Sequence, residues 1–250
     1  MNIRYITVSD PRENISVDDA LKILTSAPNV EFGVQADEYS MRPNSGQNIW
    51  LRKILEKSNS MARPLNIALH VNYDWCTDAC NFNIPNELSK LAKMTHAETG
   101  TPLIQRLQFN FGDNTPAYFD VYKMKKMIKY FSGHEVIFPY NKITSGMLDE
   151  LHENFAEFSI LNDASYGTGI SPDVWPAPAY GIHHATGYSG GLNSNNVQSC
   201  LNDITKFDTA LKGNTWVDAE GQLMKTNAWT RTLDINKAMD YIHAVLAWQK

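Results

Sequence analysis

The sequence lacks most of the features that would take it out of the ordinary globular class. It has three cysteines in 250 residues, Cys76, Cys80 and Cys200. These are too few for a disulfide framework and suit a reducing cytoplasm. No apolar run approaches the roughly 20 residues that a membrane span requires. The opening stretch, MNIRYITVSDP, has none of the charged, apolar and small-residue zones of a secretory signal. No basic stripe is present and the net charge is −5, so neither nucleic acid nor membrane is an expected partner. Low-complexity linkers and internal repeats are missing too. These absences predict a cytoplasmic protein with one domain over residues 1–250. They leave the oligomeric state open.

What is present is an alternation. Apolar residues make up 43% and charged residues 20% of the chain, enough for a sizeable core. Strand-like runs fall at 3–9, 30–36, 65–72, 106–112, 135–141, 158–163, 184–191 and 215–221. Seven amphipathic stretches lie between and after them. In SVDDALKILTSA, for example, Val17, Ala20, Leu21 and Leu24 share a helical face behind the capping residue Ser16. Parallel neighbours need crossovers, so strict alternation implies a parallel sheet. Eight repeats favour an α/β fold of the closed (β/α)8 barrel type over an open doubly wound sheet. The helix after strand six should be short or missing, because Pro172, Pro176 and Pro178 interrupt that segment.

In such a barrel, chemistry belongs at the C-terminal ends of the strands. Here those ends are acidic: Asp10, Asp37, Glu38, Asp74, Asp113, Asp163, Asp218 and Glu220. Alternation puts Ser159, Leu161 and Asp163 on one face of strand six, and Trp216, Asp218 and Glu220 on one face of strand eight. A barrel interior tolerates a carboxylate only near its open mouth. The stretch FSILNDASYGTGISPDVW poses the question most sharply, since an apolar strand ends on Asp163 and opens into a glycine loop.

That stretch resembles the late-barrel segment of phosphoribosylanthranilate isomerases, where an apolar strand ends in Asp before a Gly-rich loop and Asp-Trp. GYSGGLNSNNV (187–197) is similar to the family's Ala-Gly-Gly-Leu strand-to-helix turn. ALHVN (68–72), LQFNFGD (107–113), YSMRPNS (39–45) and WVDAEGQL followed by DINKAMDYIHAV resemble further segments, in the same order. Each motif is weak alone, but the collinearity spans nearly the whole chain. Loops 72–85, 171–186 and 222–231 look longer than the family's.

The resemblance implies a (β/α)8 barrel of the ribulose-phosphate-binding type and an Amadori rearrangement, an intramolecular oxidation–reduction of an aminated ribose phosphate. It gives Asp163 the role of general acid and makes Asp218 and Glu220 catalytic candidates. Arg42 matches an arginine that holds the substrate carboxylate. His70 and Gln108, on the segments similar to strands three and four, stand as binding candidates. Gly167, Thr168, Gly169, Gly190 and Gly191 would cradle a phosphate through backbone amides. The family's strand-one cysteine base has no counterpart in IRYITVSD, and Asp10, Glu38 or Glu220 would have to replace it. Glu220 also stands where the family has small serines, and a carboxylate repels a phosphate. The parent isomerase activity is therefore expected to be absent or very weak.

Plainer readings compete with these. Asp163 can cap its turn, Asp218 can serve a structural hydrogen bond, Arg42 can be a solvated loop residue, and His70 a satisfied barrel histidine. Cys76 and Cys80, with His183 and His184, offer metal-ligand residue types, but zinc needs four converging ligands, so no metal and no cofactor are expected. Trp75, Trp175 and Trp229 can form an aromatic lid or seal loop packing. The lysines at 123, 125, 126 and 129 read as the wet face of a helix. Beside the isomerase, a lyase or hydrolase on an unphosphorylated ligand and a non-catalytic binder stay open.

Overall fold

The structure is a computed structural model and describes residues 3–111, 120–154, 156–163, 169–181, 183–207, 213–226 and 230–249. Asp113, Gly167, Thr168 and Trp229 lie outside the described residues. Eight parallel strands close into a barrel in sequence order: β1 (Ile6–Ser9), β2 (Val30–Ala36), β3 (Asn66–Val71), β4 (Arg106–Phe109), β5 (Glu135–Tyr140), β6 (Ser159–Asp163), β7 (Thr186–Ser189) and β8 (Thr215–Ala219). The seam is a parallel pairing of β1 with β8, with Thr7 opposite Asp218. The fold is thus the expected (β/α)8 barrel.

Among the described residues, eight α-helices accompany the strands: α1 (Val17–Leu24), α2 (Gly46–Asn59), α3 (Tyr73–Cys80), α4 (Asn86–Ala92), α5 (Val121–Tyr130), α6 (Ser145–Glu153), α7 (Val197–Ile204) and α8 (Ile235–Trp248). Local sequence starts them. The Ser16, Ser45, Asp120 and Asp234 side chains accept hydrogen bonds from first-turn amides, each worth about 1 kcal/mol. Helical periodicity then sets the buried stripe, as Ala238, Tyr241, Ile242 and Val245 do on α8. On α1 the stripe is Ala20, Ile23 and Leu24, rotated slightly from the face read off the sequence, with Val17 and Leu21 only half-buried.

By internal packing the chain divides into two compact units, Met1–Phe32 with Ile160–Lys250, and Gly33–Ser159. The core of the second is aromatic. Phe138 lies 6.1 Å from Phe109, 5.7 Å from Phe158 and stacks on Phe111 at 5.5 Å. In the first, β7 and β8 pair with Gly187 opposite Trp216, and a Cβ on Gly187 would fall inside the Trp216 indole. Gly187 is therefore the space in which Trp216 is buried.

The described residues between β6 and β7 contain no helix. Trp175 from this proline-rich segment is 5% exposed and packs edge-on to Tyr188, with ring centroids 6.2 Å apart. Since Gly187 faces Trp216, its neighbour Tyr188 points to the opposite face of β7, toward the helix layer. The tryptophan covers a strand face that a helix would otherwise cover.

Two elements differ from the expected loops. Residues 72–85 contain α3, which buries Trp75, Cys76, Ala79 and Cys80. Residues 222–231 contribute to an antiparallel hairpin of β9 (Met224–Thr226) and β10 (Arg231–Leu233), with Thr226 opposite Arg231.

Candidate active site

The acidic rim of the first unit is built on the ends of β1, β6 and β8. Ser9 closes β1, and its hydroxyl donates to Asp218 Oδ1 at 2.5 Å. Both residues are buried. Asp218 is thereby anchored, and Ser9 is engaged as a donor. The next residue, Asp10, has φ +58°, a left-handed conformation that costs a non-glycine residue about 1–2 kcal/mol. Arg12 clamps its carboxylate with two bonds, Nε to Oδ1 at 2.9 Å and Nη2 to Oδ2 at 3.0 Å.

Glu220 follows β8 and opens a single 3-10 turn, Gly221–Leu223. Its half-exposed carboxylate accepts a hydrogen bond from Arg231 Nη2 at 2.9 Å. Arg231 comes from the hairpin strand β10. Partial desolvation at the rim raises the Glu220 carboxyl above its ordinary value, and the Asp10 charge pushes it further. Arg231 opposes the rise, while Asp163 at the end of β6 adds to it. Asp10, Asp163 and Glu220 are therefore electrostatic neighbours, with Arg12 and Arg231 as countercharges.

The glycine turns lie beside this cluster. Gly190 (φ +121°) and Gly191 (φ +63°) end β7 in a conformation that glycine adopts readily. A Cβ on Gly191 would approach Gly169 O to 2.5 Å and Ser171 N to 2.6 Å, so the two loops touch through backbone. Ser171 Oγ donates to the carbonyls of Gly190 and Gly191, and Asn196 Nδ2 donates to Ser171 Oγ at 2.8 Å and to Gly191 O at 2.9 Å. Gln222 Nε2 reaches Gly169 O at 3.1 Å.

The second unit holds the remaining candidates. His70 and Gln108 are register partners on β3 and β4, and both are buried. Gln108 Nε2 donates to Asn110 Oδ1 at 2.9 Å, and Asn110 Nδ2 donates to Asn72 Oδ1 at 2.8 Å. Burial, aided by Arg106, lowers His70 to about 3. It is neutral near pH 7 and a very weak base. Arg42 stands on an exposed turn, donating to Glu38 O and lying 5.0 Å from the Tyr39 ring. Glu38 has one buried carboxylate oxygen with no hydrogen-bond partner among the described residues.

Cys76 and Cys80 are one helical turn apart and buried, and burial pushes the Cys76 thiol well above its ordinary value. Among the described residues, no group of three or more His, Cys, Asp or Glu side chains is arranged to hold a metal ion. No helix among them is long and apolar enough to cross a membrane. Arg12 and Arg231 are the polar residues that sequence reasoning missed. Arg12 had a signal, since Asp-Pro-Arg directly follows a strand. Arg231 had none, because its position depends on the hairpin.

A closed parallel barrel with an acidic rim at its strand ends is an architecture shared by many enzymes. Among solved structures, the chain is similar to 3-hexulose-6-phosphate synthase from Salmonella typhimurium, at 11% identity and TM-score 0.54, covering 98% of this chain and 99% of that one. It is also similar to N-(5'-phosphoribosyl)anthranilate isomerase from Pyrococcus furiosus, at 13% identity and TM-score 0.51, covering 98% and 100%. At such identities the likeness is one of fold. No protein-family model matches the chain, and no curated protein matches it.

Proposed function

We propose that this chain is a barrel enzyme performing acid–base chemistry on a small sugar-phosphate-like ligand at the ends of β1, β6 and β8. The observation that carries the reading is the raised carboxyl of Glu220 beside Asp10 and Asp163. A carboxyl raised above its ordinary value is a stronger base than an ordinary carboxylate, since catalytic groups work best near the operating pH. Glu220 therefore serves as the base, and Asp163 takes the acid's role that the resemblance gives it. In an Amadori-type step on an aminated sugar, the acid gives its proton to the ring oxygen as the C1–O bond breaks and the nitrogen lone pair forms C1=N. The base removes the C2 proton, and the resulting enolamine gains a proton at C1 and loses its hydroxyl proton to become the ketone. The Ser9 hydroxyl, which donates to Asp218, is far too weak a base for that step near pH 7.

For such an enzyme, kcat/KM rises with pH along a limb set by Glu220, at a pKa above 4.5, the ordinary value for a glutamate. Glu220→Gln abolishes that limb and lowers the rate by about 10²–10⁴-fold. A variant retaining both the limb and the rate would remove Glu220 from the mechanism.

The second reading, a ligand without phosphate, is favoured by the Glu220–Arg231 pair, because a phosphate must compete with Glu220 for that guanidinium. Phosphoribosylanthranilate turnover is expected to be absent or very weak. Thermal shifts with sugar phosphates and their dephosphorylated forms separate the readings. Under the first, Glu220→Ser tightens phosphate binding by about tenfold or more as the repulsion is removed. Under the second, dephosphorylated ligands stabilise the parent chain at least as well.

A further inference from the structure

The Gly33–Ser159 unit has a cleft of about 780 Å³ between α5 and the starts of β5 and β6. The size falls within the range of small-molecule sites, roughly 300–1,000 Å³. Its walls differ in chemistry. Val136, Ala156 and Phe158 supply buried apolar surface, while Lys125 and Lys129 border it from α5. Neither lysine has an ion-pair partner among the described residues.

The remaining charges along the cleft are engaged or peripheral. Lys126 lies 4.2 Å from the centre of the exposed Tyr122 ring. Glu135 accepts from Arg106 Nε at 3.2 Å and from Ser159 Oγ at 2.7 Å, so its charge is already countered. Glu157 is exposed. In a chain of net charge −5, two cations over an apolar floor form a local exception. Of the four exposed lysines that read in the sequence as a wet helix face, Lys125, Lys126 and Lys129 also line this cleft.

We propose that this cleft is a second ligand site, distinct from the rim, for a small amphipathic anion: a planar or apolar body carrying one phosphate or carboxylate. The body lies on Val136, Ala156 and Phe158, and the anionic group sits between Lys125 and Lys129. A neutral analogue of the same shape keeps the first contact and loses the second.

Amide NMR titration of the full chain with phenyl phosphate and with phenol tests this directly. Saturable shifts are expected at Lys125, Lys129, Val136 and Ser159, with phenyl phosphate binding at least tenfold more tightly than phenol. The exposed double variant Lys125→Gln/Lys129→Gln should lose at least tenfold in phenyl phosphate affinity, while Asp163→Asn leaves those shifts unchanged. Equal binding of phenol, an affinity indifferent to the two lysines, shifts confined to Gly190 and Gly191, or no saturable shift at the cleft would each overturn the proposal.

Discussion

His70 makes a measurable demand on the fold. Its ordinary pKa is 6.5, and burial with Arg106 nearby lowers it to about 3. The folded state therefore binds fewer protons than the unfolded state between those values. Stability from this group is complete above pH 6.5 and is lost as pH falls toward 3. At about 1.4 kcal/mol per pH unit, denaturant titrations should register about 2 kcal/mol of loss between pH 7 and pH 5. His70→Leu should flatten that slope. An unchanged slope would assign acid sensitivity to other groups. Glu220 acts in the opposite sense. Its raised carboxyl makes the folded state hold a proton longer, so its contribution declines as pH rises through the window above 4.5.

At the scale of elements, the segment after β6 is the informative one. The prolines at 172, 176 and 178 were legible as a bar to helix, and the described part of the segment has none. What takes over the buried surface could not be read, because the contact of Trp175 with Tyr188 exists only after β7 is placed. Trp175→Ala should cost about 3–5 kcal/mol by opening that cavity, as measured by urea unfolding. A loss under 1 kcal/mol would mean that the segment contributes little to the core. Helix α3 carried a readable signal, since Trp75, Cys76, Ala79 and Cys80 follow a helical period. The four-residue cysteine spacing drew attention as possible metal chemistry instead. For the hairpin, three-residue strands such as Arg231–Leu233 are too short for alternation to register.

For the whole molecule, alternation specified parallel strands with crossovers, and the eightfold count with the family resemblance favoured closure over an open doubly wound sheet. The acidic rim was equally visible, because strand ends can be read from pattern. The countercharges were not, because a guanidinium reaches its partner through the path of its loop. Closure has a testable consequence. With β1 hydrogen-bonded to β8, the barrel has no edge strand to fray. Native-state hydrogen exchange should show the Val8 and Val217 amides opening only with global unfolding. Markedly faster exchange at Val8 would mark the seam as a separate opening unit.

The hairpin that carries Arg231 also bears on how this site changes with descent and with engineering. Its two strands pair with each other, outside the barrel ladder, and they return the chain to α8 at Asp234. A segment that leaves and rejoins the scaffold at neighbouring points can be shortened, exchanged or grafted without moving a barrel strand. The cation opposite Glu220 is thus a replaceable part. Swapping residues 224–233 for a shorter turn would change which charges a ligand meets while leaving the eight-stranded frame in place.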